Sequence, residues 1–175
     1  EYTGTGSQVS RRHNMNNTPE MMWVKNRSSQ EDWCCYHEDI NGGTDPYKYV
    51  FKLNDANNVE ASNTAFFGAN PTSTMYTVGT HDRTNKAGDN YLIAMFSSVS
   101  GYSKVGLYTG NGSSSGPTIN CGFVPRLVIL RGAGLTSNTD WAFKIFDTFR
   151  GIASGNDHIA QLSSNAAHAA TSDRL

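Results

Sequence analysis

Charge is the scarcest commodity in this sequence. Asp, Glu, Lys and Arg together make up 17% of its 175 residues, against a usual quarter or so, and 14 basic side chains nearly cancel 15 acidic ones. A formal net charge of −1 leaves no electrostatic footprint for a general nucleic-acid binder, which needs clustered Lys and Arg to neutralise phosphates. The one basic cluster, Arg11-Arg12-His13, reads as a solvated turn. Long hydrophobic runs are missing too: none approaches the roughly 20 residues of a membrane span, and the N-terminus shows no charged start followed by an apolar core and cleavage site. The chain is therefore expected to be soluble. It opens at Glu1 without Met, and is expected to be an excerpt or a processed product. Cysteine is sparse and irregular: Cys34 and Cys35 are adjacent, on opposite faces of an extended strand, and Cys121 stands alone. Three such residues do not form a disulfide framework, and folding in a reducing cytoplasm fits them better. Helical periodicity is also poor, the best stretch being residues 56–67, where a short helix and an irregular crossover are equally compatible with the pattern.

What the sequence does have is strand chemistry. Runs of four to eight β-branched and aromatic residues, bounded by Gly, Asn, Asp or Pro, fall at Met21 to Lys25, Trp33 to His37, Tyr47 to Leu53, Met75 to Gly79, Tyr91 to Ser97, Lys104 to Thr109, Leu127 to Arg131 and Trp141 to Asp147. Leu127-Val128-Ile129-Leu130 is apolar at every position, which predicts a central strand covered on both faces; Tyr49 to Leu53 alternates more and predicts one wetter side. Asn41-Gly42-Gly43, Ala87-Gly88-Asp89-Asn90, Asn111-Gly112 and Ser115-Gly116-Pro117 supply the reversals.

Part of this pattern occurs twice. Tyr2-Thr3-Gly4-Thr5-Gly6 returns as Tyr108-Thr109-Gly110-Asn111-Gly112, and Pro19 with the run Met21 to Lys25 returns as Pro125 with Leu127 to Arg131, both at an offset of 106 positions (2 to 108 and 19 to 125). Trp33 then answers to Trp141, 108 positions on (33 to 141), so the second copy has gained two residues in its polar turn. A duplicated turn, Pro-led strand and Trp-led strand is a structural module before it is anything else. The expected fold is all-β, an antiparallel β-sandwich of jelly-roll or lectin-like kind with this internal duplication. The sandwich domain covers residues 1–152 and contains two related units, about 2–40 and 108–152. Residues 153–175, rich in Ala, Ser and Asn, bury too little apolar surface to fold alone and are expected to be a linker, an arm or the start of a further module.

Catalytic signals are thin. The five histidines are scattered, with no His-Glu-x-x-His and no Cys-x-x-Cys. Cys35 and His37 would share a strand face, as a ligand pair or as a thiolate with its base, though a small buried side chain beside a polar one is the preferred reading. Glu31-Asp32 and Glu38-Asp39 are the densest acidic pairs and would serve glycosidic cleavage only at the right separation; strand-end carboxylates are usually just solvated. Asp82 and Asp89, with Asn85 and Asn90, make an oxygen-rich loop without the regular calcium-loop spacing. They are weak calcium candidates, and no metal or cofactor is expected. The glycines of the two Tyr-Thr-Gly turns open no phosphate-binding helix. Trp33, Tyr36, Tyr47 and Trp141 are the candidate glycan-binding residues, being of the kind that stacks on sugar rings. For both Trp, a position used twice is first a packing position, and core filling is preferred.

The order and spacing of Pro71-Thr72-Ser73-Thr74-Met75-Tyr76-Thr77-Val78-Gly79-Thr80, Asn85-Lys86-Ala87-Gly88-Asp89-Asn90-Tyr91 and Gly101-Tyr102-Ser103-Lys104-Val105-Gly106 running into Tyr108-Thr109-Gly110-Asn111-Gly112 carry a resemblance. The chain is similar to an uncharacterised module of virion structural and tail-fibre proteins of tailed phages, many of them infecting marine cyanobacteria. The likeness extends over Pro19 to Trp33 and Gly122 to Trp141, about residues 2–152. Relatives more often carry two β-branched residues where Cys34-Cys35 stands, and continue past an Arg-Leu segment into further strands. The resemblance implies a non-enzymatic virion component, a tail-fibre or appendage module contributing to assembly and host attachment. It brings no catalytic residues with it. The implied partners are other copies of the chain in a homo-oligomer, commonly a trimer in fibres, other virion proteins and a host surface glycan, with no nucleic acid and no membrane insertion; the implied location is the virion, assembled in the host cytoplasm. Three alternatives are a carbohydrate-binding receptor-recognition module, a capsid decoration protein, and a polysaccharide depolymerase acting through Glu38 and Asp39.

Overall fold

The structure, a computed structural model, describes residues 1–55, 59–61, 64–133, 142–149, 156–162 and 169–172. Its described strands are β1 (Tyr2–Thr3), β2 (Val9–Arg12), β3 (Met21–Asn26), β4 (Cys34–His37), β5 (Tyr49–Lys52), β6 (Glu60–Ala61), β7 (Phe67–Ala69), β8 (Met75–Val78), β9 (Asn90–Phe96), β10 (Leu127–Leu130), β11 (Lys144–Asp147), β12 (Asn156–Gln161) and β13 (Ala169–Ser172). One helical turn, α1 (Asp82–Asn85), and two short 3-10 turns complete the regular structure described. Every strand pairing is antiparallel. The fold is all-β and sandwich-like.

Strands assemble into a six-stranded sheet in the order β1-β9-β3-β4-β5-β6, a three-stranded sheet β2-β8-β7 and a four-stranded sheet β10-β11-β12-β13. The six-stranded sheet is the middle layer. Met22, Val24, Cys34, Tyr36 and Val50 point from one face into a cluster with Phe67, Tyr76 and Val78 of the three-stranded sheet. From the other face, Cys35 and Phe51 join Ile40, Leu53 and Phe143, with Trp23, Trp33, Tyr49 and Ile129 packed around them. Because side chains alternate along a strand, burial on both faces accounts for the adjacent cysteines, which are both buried and each enter a different core. It also corrects the expectation of a wet side for Tyr49 to Leu53: Val50 and Phe51 are both buried because each face has a covering layer. Side chains of this size gain roughly 1.5–3 kcal/mol each from full burial.

The Tyr-Thr-Gly turn at the N-terminus is held tightly. Tyr2 stacks on Tyr91, with ring centroids 5.0 Å apart, and its hydroxyl donates to the Thr84 carbonyl. The Gly4 N–H donates to Asp89 O at 2.8 Å, the Gly6 N–H to Asn85 O at 2.8 Å, and the Gly88 N–H returns to Gly4 O at 3.0 Å. Buried Asn85 locks the turn from within, its side-chain oxygen accepting from the Thr5 N–H while its amide donates to Ser7 O and Gly79 O. Backbone approaches so closely that a Cβ on Gly4 would lie 2.1 Å from the Lys86 carbonyl oxygen.

The duplicated hairpin is visible in the pairing. β3 pairs with β4 (Met21↔His37 to Val24↔Cys34), and β10 pairs with β11 (Leu127↔Asp147 to Leu130↔Lys144). The offset is 106 along the Pro-led strand (21 to 127) and 110 along its partner (37 to 147). That change is even, so it leaves the inward and outward faces in phase.

Several expectations are corrected. Residues 104–126 hold no strand, and Tyr108-Thr109-Gly110 is exposed coil that pairs with no described strand. β10 is not central but lies at the edge of its sheet. Arg11 and Arg12 are not a turn but part of β2, paired with Tyr76 and Met75 of β8, and the Arg11 guanidinium sits 4.8 Å over the Tyr2 ring. Residues 153–175, expected as a linker, an arm or the start of a further module, contain β12 and β13, which continue the sheet from β11, with Ile159 buried. Strand pairing supplies the backbone hydrogen bonds that their composition alone does not call for. Helix is found at Asp82–Asn85, whereas the described part of residues 56–67 holds β6, the first residue of β7 and irregular chain.

The two Tyr-Thr-Gly turns should respond oppositely to one added methyl. Gly4→Ala is expected to lower stability by about 1–3 kcal/mol, the usual cost of overpacking, while Gly110→Ala, with nothing within 4 Å of its would-be Cβ, should leave the urea midpoint unchanged. Equal midpoints for the two variants would contradict the pinned-turn geometry.

Candidate interaction surface

Beyond β9 the chain leaves the sandwich at a fixed corner. Glu20 accepts hydrogen bonds from the Ser98 N–H at 2.8 Å and the Ser98 hydroxyl at 2.6 Å, the Val105 N–H donates to Ser98 Oγ at 3.0 Å, and Val99 bridges to Ser103. From there residues 105–125 run without a single charged side chain. Hydrogen bonds within this arm are local, such as Ser113 N–H to Asn111 Oδ1 and Gly122 N–H to Asn120 Oδ1. Its large apolar side chains face outward: Tyr102 is 83% exposed and Val124 88%, with Leu107, Tyr108 and Ile119 also exposed, and Leu127 follows at 56%. Between arm, β10 and the end of the six-stranded sheet lies a cleft of about 1900 Å³, lined among others by His37, Met95, Phe96, Val128 and Leu130. This exposed apolar surface is the candidate interaction surface of the described chain.

Among the described candidate residues from the sequence, Asp82 and Asp89 meet at Asn26 Nδ2, whereas Trp33, Tyr36 and Tyr47 do not share one core. Tyr36 is buried edge-on against Phe67 at 5.7 Å, so its ring offers no face to a sugar. Trp33 and Tyr47 are half-buried, packed on the second and first cores respectively. Trp141 lies outside the described residues. Asp89 is used as a structural acceptor: Asn26 donates to its Oδ2 at 2.8 Å and Ser29 at 2.7 Å, and these two bonds hold its carboxyl below the usual range. The Asp82 carbonyl, meanwhile, receives Asn26 Nδ2 at 3.1 Å and the Tyr91 hydroxyl at 2.6 Å. Among the described residues no group of three His, Cys, Asp or Glu is arranged to hold a metal ion.

Cys35 and His37 do share a face of β4. Burial pushes the Cys35 thiol far up, so it stays protonated and is no thiolate nucleophile. Burial also lowers the His37 imidazole, whose Nδ1 accepts from the Asp39 N–H at 3.1 Å. Glu38 is raised, first by burial and then by the Glu20 and Asp39 carboxylates.

Sequence reading missed a charge network. Lys52 reaches Glu60 at 2.9 Å, Asp32 at 3.2 Å and Asp55 at 3.8 Å; Arg83 reaches Glu60 at 2.6 Å, Asp32 at 3.4 Å and Glu31 at 3.9 Å. Asn54 donates to Asp32 at 2.9 Å. The Asn54 hydrogen bond, then those of Lys52, lower Asp32; burial opposes ionisation of Glu60, but Lys52 and Arg83 outweigh it and lower that group too. The network ties β5, β6, α1 and the approach to β4 together, and no spacing in the sequence announces it because its members come from four separate segments.

The chain matches, over residues 1–175, a family described as a domain of unknown function (DUF7483). It belongs to that family. Nothing among curated proteins and nothing among solved structures matches it. In this member of DUF7483 no described helix is long and apolar enough to cross a membrane.

Because the folded carboxyls of Asp32 and Glu60 lie below their ordinary values of 3.8 and 4.5, their stabilisation is complete above that range and is lost as pH falls through the lower folded values. Urea midpoints should therefore drop between about pH 5 and pH 3, and Glu60→Gln should make that drop shallower. An unchanged slope would detach the network from acid stability.

Proposed function

We propose that this domain is a structural module of a phage particle, most specifically of a tail fibre or appendage, contributing to assembly and host attachment without catalysing a reaction. The observation that carries the reading is the contrast between a three-layer β body, pinned by side-chain hydrogen bonds and a charge network, and the uncharged arm at residues 105–125 that exposes Leu107, Tyr108, Ile119 and Val124. Apolar surface held out on a rigid frame works through contact with other proteins. The resemblance of the Tyr-Thr-Gly, Pro and Trp segments to virion modules points the same way. Other copies of the chain, commonly three in a fibre, and other virion proteins are the proposed partners, and the virion the proposed location.

A carbohydrate-recognition reading has one specific support. Tyr102 and Tyr108 are exposed aromatics, better placed to stack on a sugar than Trp33, Tyr36 or Tyr47. Binding on a glycan array that disappears in Tyr102→Ala would favour it.

Immunogold labelling of purified particles of the encoding phage should place this chain on fibres or other appendages. Label on capsid faces would make it a decoration protein instead, and particles without label would overturn the virion reading.

A further inference from the structure

The two hairpins of the duplication are equivalent in pairing but not in company. β3 is flanked on one side by β4 and on the other by β9, in the register Met21↔Phe96, Met22↔Met95, Trp23↔Ala94, Val24↔Ile93 and Lys25↔Leu92. β10 has β11 on the equivalent first side, and no described strand on the second. Burial follows: Met22 and Val24 are 0% exposed, whereas Val128 and Leu130, the same positions 106 further on, are only half-buried. The Tyr-Thr-Gly turns differ in the same sense. Tyr2 and Gly4 are held by Thr84, Lys86, Asp89 and Tyr91, all of which belong to the stretch leading into β9. Tyr108 and Gly110 are exposed, with open space around Gly110.

One kind of segment would therefore close both openings at once. We propose that the edge of β10 left uncovered by any described strand and the Tyr108-Thr109-Gly110 turn form a docking site for a segment with the chemistry of residues 82–96, supplied by a further unit of this same domain. Such a segment has a polar helical turn ending in Asn, a glycine reversal, and an uncharged strand led by Tyr. It runs antiparallel to β10, placing a Phe opposite Leu127, a Met opposite Val128, a small residue opposite Ile129 and an Ile opposite Leu130, as β9 does along β3. Strand addition satisfies the outward backbone groups of β10, while Gly110 admits the incoming carbonyl as Gly4 admits that of Lys86. The site stands on the repeat geometry alone, whether or not the domain belongs to a virion.

A fluorescent peptide of residues 81–97 titrated against the full chain tests this. Saturable binding is expected, weakened at least tenfold by Gly110→Ala, which removes the close approach, and by Leu127→Lys, which places a charge on the edge. Both substituted sites are exposed, so the variants should fold, and Leu162→Lys, at another exposed position, should bind as the unaltered chain does. No binding, or binding indifferent to Gly110→Ala and Leu127→Lys, as displacement of the resident β9 would give, overturns the proposal. So does sedimentation of the chain alone as a dimer that Leu127→Lys dissociates, since the edge would then belong to a second β10.

Discussion

A strand in the middle layer of a three-layer protein must be covered four ways: by a neighbour on each edge and by a sheet on each face. β3 meets that condition, with β4 and β9 beside it, the three-stranded sheet over Met22 and Val24, and Phe143 and Phe96 around Trp23 at ring separations of 6.2 and 4.8 Å. Two of the side-chain anchors in the described chain lie at the ends of this strand. Asn26 at its end donates to Asp89, Asp82 and Tyr91 and accepts from the Ser28 and Ser29 N–H groups, and Glu20 just before it fixes the corner where the arm departs. β10 repeats the sequence pattern of β3 but meets only part of the condition, and the apolar exposure of the molecule gathers around it.

That asymmetry links the fold to its proposed use. A module whose first unit is closed and whose second is open has one surface built for stability and one that gains by further pairing. The arm at residues 105–125 carries no charge to repel an incoming chain, and edge strands left apolar and exposed are unusual unless something covers them. The proposed assembly role rests on this asymmetry. The thiol of Cys35 is suppressed by burial and the carboxylates of Asp32, Glu60 and Asp89 are committed to internal partners.

Strand positions were legible in the sequence wherever β-branched and aromatic residues ran between turn signals: Met21–Asn26, Cys34–His37, Met75–Val78, Asn90–Phe96 and Leu127–Leu130 all fall within a residue of the expected runs. Of the hairpin duplication, the Pro-led strand keeps its offset of 106, whereas its partner strand pairs at 110 and not at the 108 read from Trp33 and Trp141. Tyr2–Thr3 and Val9–Arg12 were not legible, because short polar strands owe their existence to the edge they join rather than to their composition. Lys104 to Thr109 is the converse case, having strand composition but pairing with no described strand. Among the glycan candidates Tyr36 misled because exposure is a tertiary property: it looks like a surface aromatic only until Phe67 is packed on it. The surface that stands out instead, Tyr102 to Leu127, was hidden because Lys104 to Thr109 has strand composition and a run apolar at every position, Leu127 to Leu130, reads as covered on both faces.

Hydrogen exchange of individual amides in the isolated chain tests the inequality of the two hairpins most directly. The β3 amides at Met22, Trp23 and Val24 should exchange only through global unfolding, while every other amide of β10, on its open side, should exchange far faster through local opening. Uniform protection of Val128, Ile129 and Leu130 at the level of β3 would mean that the second hairpin is already closed, and would contradict the picture of an open unit.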